Sequence, residues 1–198
     1  MEDEQLNIFD SKGKFTGTAS RADAHKKGLW HETFHCWFIS NEEDRVFIHF
    51  QLRSPDKKDF ASMLDITAAG HLNSDEDVKD GVREIKEELG ISLTLNDLIY
   101  TGTVPDEIVI DDFNDRELCH VFIYKIPENT EPDYVFMDDE VADIVKIELS
   151  AFEKLWSEKT YSINIDSKSI NRNSFVPHEN RYIDTVIKSI KQFALQYF

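Results

Sequence analysis

Cysteine is scarce in this 198-residue sequence, which contains only Cys36 and Cys119 and no Cys-x-x-Cys pair. A disulfide framework and a cysteine-rich zinc site are therefore excluded, and a reducing cytoplasm is the expected compartment. Long apolar runs are also missing, since no stretch approaches the roughly 18 residues of a membrane span. The first ten residues are acidic, whereas a secretory signal peptide begins with basic residues.

Positive charge is in short supply, with 22 basic residues against 39 acidic ones and a net charge of −17. This balance argues against bulk binding of nucleic acid or of an anionic membrane, because both need a positive surface. The acidity either serves solubility alone or lets divalent cations bridge the chain to a phosphate ligand. Because there is no repeat, low-complexity tract or Pro/Gly/Ser-rich linker, we expect one domain over residues 1–198.

Hydrophobic residues make up 40% of the chain, which is enough for a sizeable core. The predicted strands are Leu6–Phe9, Thr33–Ser40, Val46–Leu52, Met63–Thr67, Leu98–Val104, Leu118–Ile126 and Val141–Ile147. The predicted helices are Glu76–Leu89, a short helix beginning at a capping box of Ser150 and Glu153, and an amphipathic helix within 176–198. Strands mixed with a few helices indicate an α+β fold or a layered α/β/α domain.

The predicted helix over residues 76–89 separates its charged residues from its apolar ones. Its apolar residues recur at spacings of four, three and four, and they are Val78, Val82, Ile85 and Leu89. Its acidic residues share the sector away from that stripe, and they are Glu76, Asp77, Asp80, Glu84, Glu87 and Glu88. Neighbouring carboxylates repel one another, so this segregation favours divalent cations bound among them; an acidic helix facing solvent is the alternative.

Glu84, Glu87 and Glu88 stand at positions i, i+3 and i+4, where three carboxylates can converge on Mg²⁺ or Mn²⁺. Arg83 lies four residues before Glu87 and can hold a carboxylate with its planar guanidinium. Upstream, the small residues of Ala68–Gly70 lead into His71 and allow the backbone to approach a ligand closely.

This pattern resembles the signature of the Nudix hydrolases, G-x5-E-x7-R-E-U-x-E-E-x-G-U with U apolar. The matching residues are Gly70, Glu76, Arg83, Glu84, Ile85, Glu87, Glu88, Gly90 and Ile91. The spacer between Glu76 and Arg83 holds six residues instead of seven, which leaves the role of Glu76 open. The resemblance implies a Nudix-type α/β/α sandwich with a mixed central sheet, in which residues 70–91 form the box, 1–30 an N-terminal extension and 176–198 a C-terminal helix.

The same resemblance implies a pyrophosphohydrolase that depends on Mg²⁺ or Mn²⁺. Glu84, Glu87 and Glu88 would be the metal ligands, with Gly70 and His71 at the same site. Arg83 would orient the carboxylates. Glu117 is a candidate general base, because Nudix enzymes often take that base from a loop outside the box.

Segments outside the box are similar to the Nudix branch related to type I isopentenyl-diphosphate isomerase, and they are 25–31, 33–37, 53–57 and 65–72. That isomerase transfers protons with a cysteine just before a Gly-His pair, where this chain has Ala69, which cannot exchange a proton. The positions where the isomerase keeps its metal ligands hold His25, His31, His71, Asp115 and Glu117. This implies a second metal site, with His25, His31 and Asp115 as its candidates, or a relic of one.

Arg53 and Lys57 belong to a basic loop and are candidates for gripping a diphosphate; a solvated turn is the alternative. The remaining histidines are interpreted as surface or hydrogen-bonded core residues, and they are His35, His49, His120 and His178. Cys36 and Cys119 fall in strand-like runs and are interpreted as small core residues.

The predicted function is Mg²⁺-dependent hydrolysis of the diphosphate linkage in a nucleoside diphosphate derivative or a prenyl diphosphate. Catalysis is assigned to Arg83, Glu84, Glu87 and Glu117. A proton-transfer isomerase and a non-catalytic nucleotide-binding module stay open as alternatives. The expected partner is a small-molecule diphosphate, without nucleic acid or membrane, and a homodimer is left open.

Overall fold

The computed structural model describes residues 4–110, 113–136 and 139–197. Its strands are β1 (Gln5–Phe9), β2 (Phe15–Ser20), β3 (Trp30–Glu42), β4 (Arg45–Arg53), β5 (Leu64–Asp65), β6 (Ala68–His71), β7 (Leu98–Ile110), β8 (Phe113–Lys125), β9 (Val141–Glu148), β10 (Ser162–Ile165) and β11 (Lys168–Asn171). Its helices are α1 (Arg21–Lys27), α2 (Arg83–Leu89), α3 (Leu149–Ser157) and α4 (Asn180–Tyr197). Short 3₁₀ turns cover Asp80–Val82, Leu95–Asp97 and Arg172–Ser174.

Strand β3 organises a nine-stranded mixed sheet, because its 13 residues reach several partners in turn. It pairs antiparallel with β1 and β6 near its start and with β4 near its end, and parallel with β8 along most of its length. β7 extends the sheet beyond β8, and β9 extends it beyond β4. A parallel pair needs a long crossover, and the segment between β3 and β8 provides it and includes α2.

Helices cover both faces of this sheet, since successive side chains of β3 point to opposite faces. Phe34 and Phe38 share one hydrophobic cluster with Ile85 and Leu89 of α2. Trp37 belongs to the other cluster, which contains the buried residues of α3 and α4. The predicted α+β fold, with α/β/α layers and a mixed central sheet, is therefore confirmed.

The amphipathic C-terminal helix is confirmed as α4, whose buried stripe is Tyr182, Ile183, Val186, Ile187, Ile190 and Phe193. Repeats of three and four residues place this stripe on one face, and the face packs on the sheet. Within the described ranges, no helix has both the length and the apolar character needed to cross a membrane.

The helix predicted over 76–89 is too long, since α2 begins only at Arg83. In the preceding segment, Asn73 N–H donates to the carboxylate of Glu76 at 2.8 Å, and Asp77 N–H donates to that of Asp80 at 2.8 Å. Short polar side chains that bind nearby backbone groups stabilise turns in competition with a regular helix. The result is a series of turns and one 3₁₀ turn before the helix.

Other boundaries also differ from the predictions. The predicted capping box is wrong: α3 begins at Leu149, one residue before Ser150, and the Ser150 hydroxyl contacts the carboxylate of Glu148. The strand predicted at Met63–Thr67 is reduced to the two residues of β5. β7 and β8 run past their predicted ends toward each other, and the two residues between them, Asp111 and Asp112, lie outside the described residues.

Candidate active site

A cleft of about 340 Å³ opens beside α2, β6 and the residues just before α4. Every residue predicted for the site lines this cleft except His31, which is fully buried. They come together from distant parts of the chain, namely α1, the end of β4 with the loop after it, β6, α2 and the start of β8. The tertiary structure thus gathers the predicted residues around one space.

Arg83 binds several carboxylates at the start of α2. Its Nη1 donates to Glu84 Oε1 at 2.5 Å and to Glu87 Oε2 at 2.9 Å. Its Nη2 donates to the carbonyl oxygen of His71 at 3.1 Å, which ties the helix to the end of β6. The guanidinium therefore orders two of the three predicted carboxylate ligands, as a planar fork of donors can.

Gly70 lies directly against the carboxyl group of Glu84. A Cβ at this position would come within 2.1 Å of the Glu84 carboxyl carbon, so the carboxyl group would have to move. Glycine leaves the room that this carboxylate occupies. The backbone of β6 and the helix are thus in close contact where the predicted metal site begins.

Burial changes the protonation of the α2 carboxylates. It raises the pKa of Glu84 to about 7, with the charge of Arg83 opposing the shift and that of Glu87 adding to it. It also raises the pKa of Glu88 well above its ordinary value, although Ala69 N–H donates to this carboxylate at 3.0 Å. Buried carboxylates of this kind are stabilised when a cation replaces the missing solvation.

Three histidines from α1, β3 and β6 form a second cluster. His25 Nε2 lies 3.2 Å from His71 Nε2, and the rings of His31 and His71 stack with their centroids 5.0 Å apart. Burial lowers the pKa of His25 to about 4 and that of His71 well below its ordinary value. These imidazoles are therefore neutral near pH 7, which is the form that binds metal ions.

Carboxylates of β8 complete this histidine cluster. Asp115 Oδ1 lies 3.4 Å from His31 Nε2, and potential ligand atoms of His31, Asp115 and Glu117 all lie within 4.8 Å of one another. Neither His31 Nε2 nor Asp115 Oδ1 has a hydrogen-bond partner within the described ranges, although both atoms are buried. Buried polar atoms without partners are costly, so the donor set fits a divalent cation such as Mn²⁺.

Asp115 and Glu117 point to the same face of β8, as expected for residues two apart in a strand. Burial and the negative charge of Glu117 raise the pKa of Asp115 well above its ordinary value. Burial also opposes ionisation of Glu117, but the hydrogen bond from His35 and the electrostatic contributions of the neighbouring histidines together outweigh it and lower the pKa of Glu117. The pair thus holds one carboxylate whose pKa is lowered beside one whose pKa is raised.

The predicted basic loop reaches the cleft, where both of its cationic candidates are paired. Arg53 Nη1 donates to Asp65 Oδ2 at 2.8 Å, and Lys57 Nζ lies 2.5 Å from Glu140 Oε2. The loop is not the solvated turn of the alternative interpretation, because neither side chain is fully exposed.

The sequence interpretation missed two histidines of the cleft, His35 and His178. His178 lies between two carboxylates, with Nδ1 2.6 Å from Asp106 Oδ2 and Nε2 2.9 Å from Asp65 Oδ1. Burial works to lower the pKa of His178, but the hydrogen bonds and charges of Asp106 and Asp65 raise it to about 10. No local pattern signals this arrangement, because its partners are 72 and 113 residues away.

The other histidines and the cysteines that were interpreted as core or hydrogen-bonded residues have such roles in the structure. His49 and His120 make hydrogen bonds elsewhere, with Tyr134 and Glu32 respectively. Cys36 and Cys119 are buried free thiols, as predicted for small core residues.

Comparisons with known proteins give the following matches. The family model for the NUDIX domain matches residues 29–166. An uncharacterized Nudix hydrolase of Clostridium acetobutylicum is 38% identical over 203 aligned residues, covering 96% of this chain and 98% of the relative. An isopentenyl-diphosphate Delta-isomerase of Mycolicibacterium vanbaalenii is 30% identical over 149 residues, covering 72% of this chain and 76% of the relative. In fold, the chain is similar to a Deinococcus radiodurans protein of known crystal structure, with a TM-score of 0.55 at 17% identity over 78% of this chain and 87% of that one.

Proposed function

Because the chain belongs to the Nudix family and is a hydrolase of pyrophosphate bonds, we propose that it cleaves a small-molecule diphosphate with Mg²⁺ or Mn²⁺. The substrate is a nucleoside diphosphate derivative or a prenyl diphosphate. The observation that supports this most directly is the Arg83 guanidinium, which joins Glu84 and Glu87 at the wall of the cleft.

The proposed cation ligands on α2 are Glu84, Glu87 and Glu88, with Gly70 and His71 beside them. When bound there, a divalent cation supplies positive charge that neutralises the diphosphate oxygens and polarises the phosphorus. Arg83 keeps the Glu84 and Glu87 carboxylates in place. Each carboxylate must be unprotonated to accept a cation, which agrees with the neutralising position of Arg83 between them.

Glu117 is the proposed general base. It faces the cleft from β8, and its lowered pKa keeps it ionised near neutral pH. An ionised carboxylate within the cleft can accept the proton of the attacking water. His25, His31 and Asp115 are the proposed second cation site, adjoining this base.

Arg53 and Lys57 are the proposed contacts of the diphosphate. Both stand at the cleft wall, and each is paired with a single carboxylate, Asp65 or Glu140. A diphosphate offers oxygen acceptors that match the guanidinium fork and the ammonium point charge. These cations offset part of the negative charge that the acidic cleft would otherwise present to an anionic substrate.

A proton-transfer isomerase is the second candidate function. The histidine cluster with Asp115 and Glu117 favours it, together with the similarity to the Mycolicibacterium isomerase. Ala69 argues against it, because the residue before Gly70-His71 has no proton to transfer. Incubation with isopentenyl diphosphate separates the two functions: an allylic isomer would indicate the isomerase, and inorganic phosphate with isopentenyl monophosphate the hydrolase.

A screen for cleavage of the diphosphate linkage tests the proposal, with inorganic phosphate as the readout for nucleoside and prenyl diphosphates and separation of the products by chromatography for the other probes. The probes are nucleotide sugars, dinucleoside polyphosphates, nucleoside diphosphates and prenyl diphosphates, each with Mg²⁺ and with a chelator. We expect cation-dependent cleavage of at least one class, and its loss in Glu84→Gln and Glu117→Gln. Tight binding of a probe without turnover would instead indicate a non-catalytic module.

A further inference from the structure

A chain of buried side chains connects α4 to Glu117. Trp37 Nε1 donates to the Tyr182 hydroxyl at 3.2 Å, and this hydroxyl lies 2.7 Å from His35 Nδ1. His35 Nε2 then lies 3.3 Å from Glu117 Oε2. Trp37, His35 and Tyr182 are each at most 2% exposed, so water does not compete for these contacts.

The direction of these hydrogen bonds follows from the chemistry of the groups. An indole N–H can only donate, so the Tyr182 oxygen accepts from Trp37, and His35 Nδ1 is the acceptor that the described contacts leave for the proton of the hydroxyl. Burial raises the pKa of Tyr182 well above its ordinary value, so the hydroxyl keeps that proton. A neutral imidazole that accepts at Nδ1 carries its hydrogen on Nε2, the atom that faces Glu117.

The contacts of Glu117 with His35 and Cys119 both involve Oε2. These contacts restrain the position of Oε2 and leave Oε1 outside them. Orientation of a reacting group by a second residue is a recognised source of catalytic rate.

We propose that Tyr182 and His35 are positioning residues that hold the Glu117 carboxylate in its reactive orientation. This inference rests on the proposed function, in which Glu117 takes a proton from water. Through Tyr182 and His35, α4 would influence the position of the reacting carboxylate, although α4 lies beyond the segment 29–166 that the family model matches.

The start of α4 is anchored firmly enough for such a role. His178 donates to both Asp65 and Asp106, and Glu179 N–H donates to Asp106 Oδ1 at 2.9 Å. Hydrogen bonds to charged groups are roughly twice as strong as neutral ones. Tyr182 follows one helical turn later, so its hydroxyl is held in register with His35.

Tyr182→Phe tests the inference, because it removes the hydroxyl and keeps the ring. Tyr134→Phe is the matched control: the Tyr134 hydroxyl lies 2.8 Å from His49 Nδ1, so the same kind of bond is lost away from the cleft. The first measurement is the ¹⁵N NMR signal of the His35 ring in metal-free protein, which distinguishes the two tautomers. The second is kcat and KM with whichever probe of the screen the wild type cleaves fastest.

We expect the Nε2–H tautomer of His35 in the wild type and a mixture of tautomers in Tyr182→Phe. The kcat of this variant should fall roughly 10- to 50-fold with KM within about twofold, whereas Tyr134→Phe stays close to wild type. Added to Glu117→Gln, Tyr182→Phe should cause no further loss, because both changes act through the same carboxylate. A core role alone would lower stability in both Tyr variants without changing the His35 tautomer.

Three results would overturn the inference: an Nδ1–H tautomer in the wild type, an unchanged tautomer in Tyr182→Phe, or equal kcat values for the two Tyr variants. Failure of the proposed function gives a different result, which is full activity in Glu117→Gln or no cleavage of any probe. In either case the tautomer of His35 in Tyr182→Phe still decides whether the hydroxyl directs the imidazole.

Discussion

Glu76 and Arg83 form a two-point ion pair, with Glu76 Oε1 2.6 Å from Arg83 Nε and Glu76 Oε2 2.9 Å from Nη2. The six-residue spacer between them, one shorter than the Nudix signature, therefore does not separate the two side chains. The turns before α2 absorb the missing residue. Glu76 binds Nε and Nη2 of Arg83 and so helps to aim the third nitrogen, Nη1, at Glu84 and Glu87.

Replacement of Glu87 by Gln tests the carboxylate cluster. Glu87 is half exposed, and its described partner is Arg83, so the free energy of unfolding should change by at most about 1 kcal/mol. We expect kcat to fall by several orders of magnitude, because the variant loses a cation ligand. Glu153→Gln is the control, since Glu153 is similarly exposed and paired with Lys191 outside the cleft. Near-wild-type turnover in Glu87→Gln would refute this assignment.

Two glycine variants distinguish an effect on cation binding from an effect on stability. In Gly70→Ala the new methyl group meets the movable Glu84 carboxyl, so we expect a folded protein with roughly tenfold weaker Mn²⁺ binding. In Gly81→Ala the methyl group comes within 2.6 Å of the fully buried Phe34, so we expect a loss of about 1–3 kcal/mol in stability. Calorimetric titration measures Mn²⁺ binding, and urea unfolding measures stability. Unchanged Mn²⁺ binding in Gly70→Ala or unchanged stability in Gly81→Ala would contradict the geometry.

The pH dependence of stability reports on His178. The pKa of His178 rises from an ordinary 6.5 to about 10 in the folded protein. Its contribution to the free energy of unfolding is therefore complete below pH 6.5 and disappears as the pH rises through about 10. The free-energy difference between wild type and His178→Gln should therefore shrink over this range, by at most about 1.4 kcal/mol per pH unit. Urea unfolding at several pH values measures it; a difference that stays constant would show that His178 is not held as a cation.

Loss of His25 tests the histidine cluster as a cation site. We expect His25→Ala to bind one Mn²⁺ fewer per chain, because His25 offers Nε2 beside His71 and Asp115. Binding at the α2 carboxylates should persist. His120→Ala serves as the control, since His120 contacts Glu32 and does not line the cleft. Equal Mn²⁺ stoichiometry in wild type and His25→Ala, measured by equilibrium dialysis, would exclude the site.

Periodicity predicted the long elements well and their ends poorly. The stripe of α4 was visible because repeats of three and four residues mark a buried helical face wherever the chain packs. The start of α2 was not visible, because acidic side chains that bind backbone N–H groups in turns, here Glu76 and Asp80, also occur in helices. The capping box at Ser150 failed for a related reason: the pattern was present, but the chain had already entered the helix at Leu149.

By itself the sequence determined that the α2 carboxylates lie together on one face of the helix, because residues at i, i+3 and i+4 share a helical face whatever surrounds them. Only the tertiary structure decided that His178 lies between Asp65 and Asp106, and that Tyr182 directs His35 toward Glu117. These contacts join residues that are 72 to 147 positions apart, and they exist only because β3, β7, β8 and α4 pack around one cleft. The spacing of residues along the chain does not predict such pairings, because burial and hydrogen bonding between distant segments depend on how the helices and the sheet pack together.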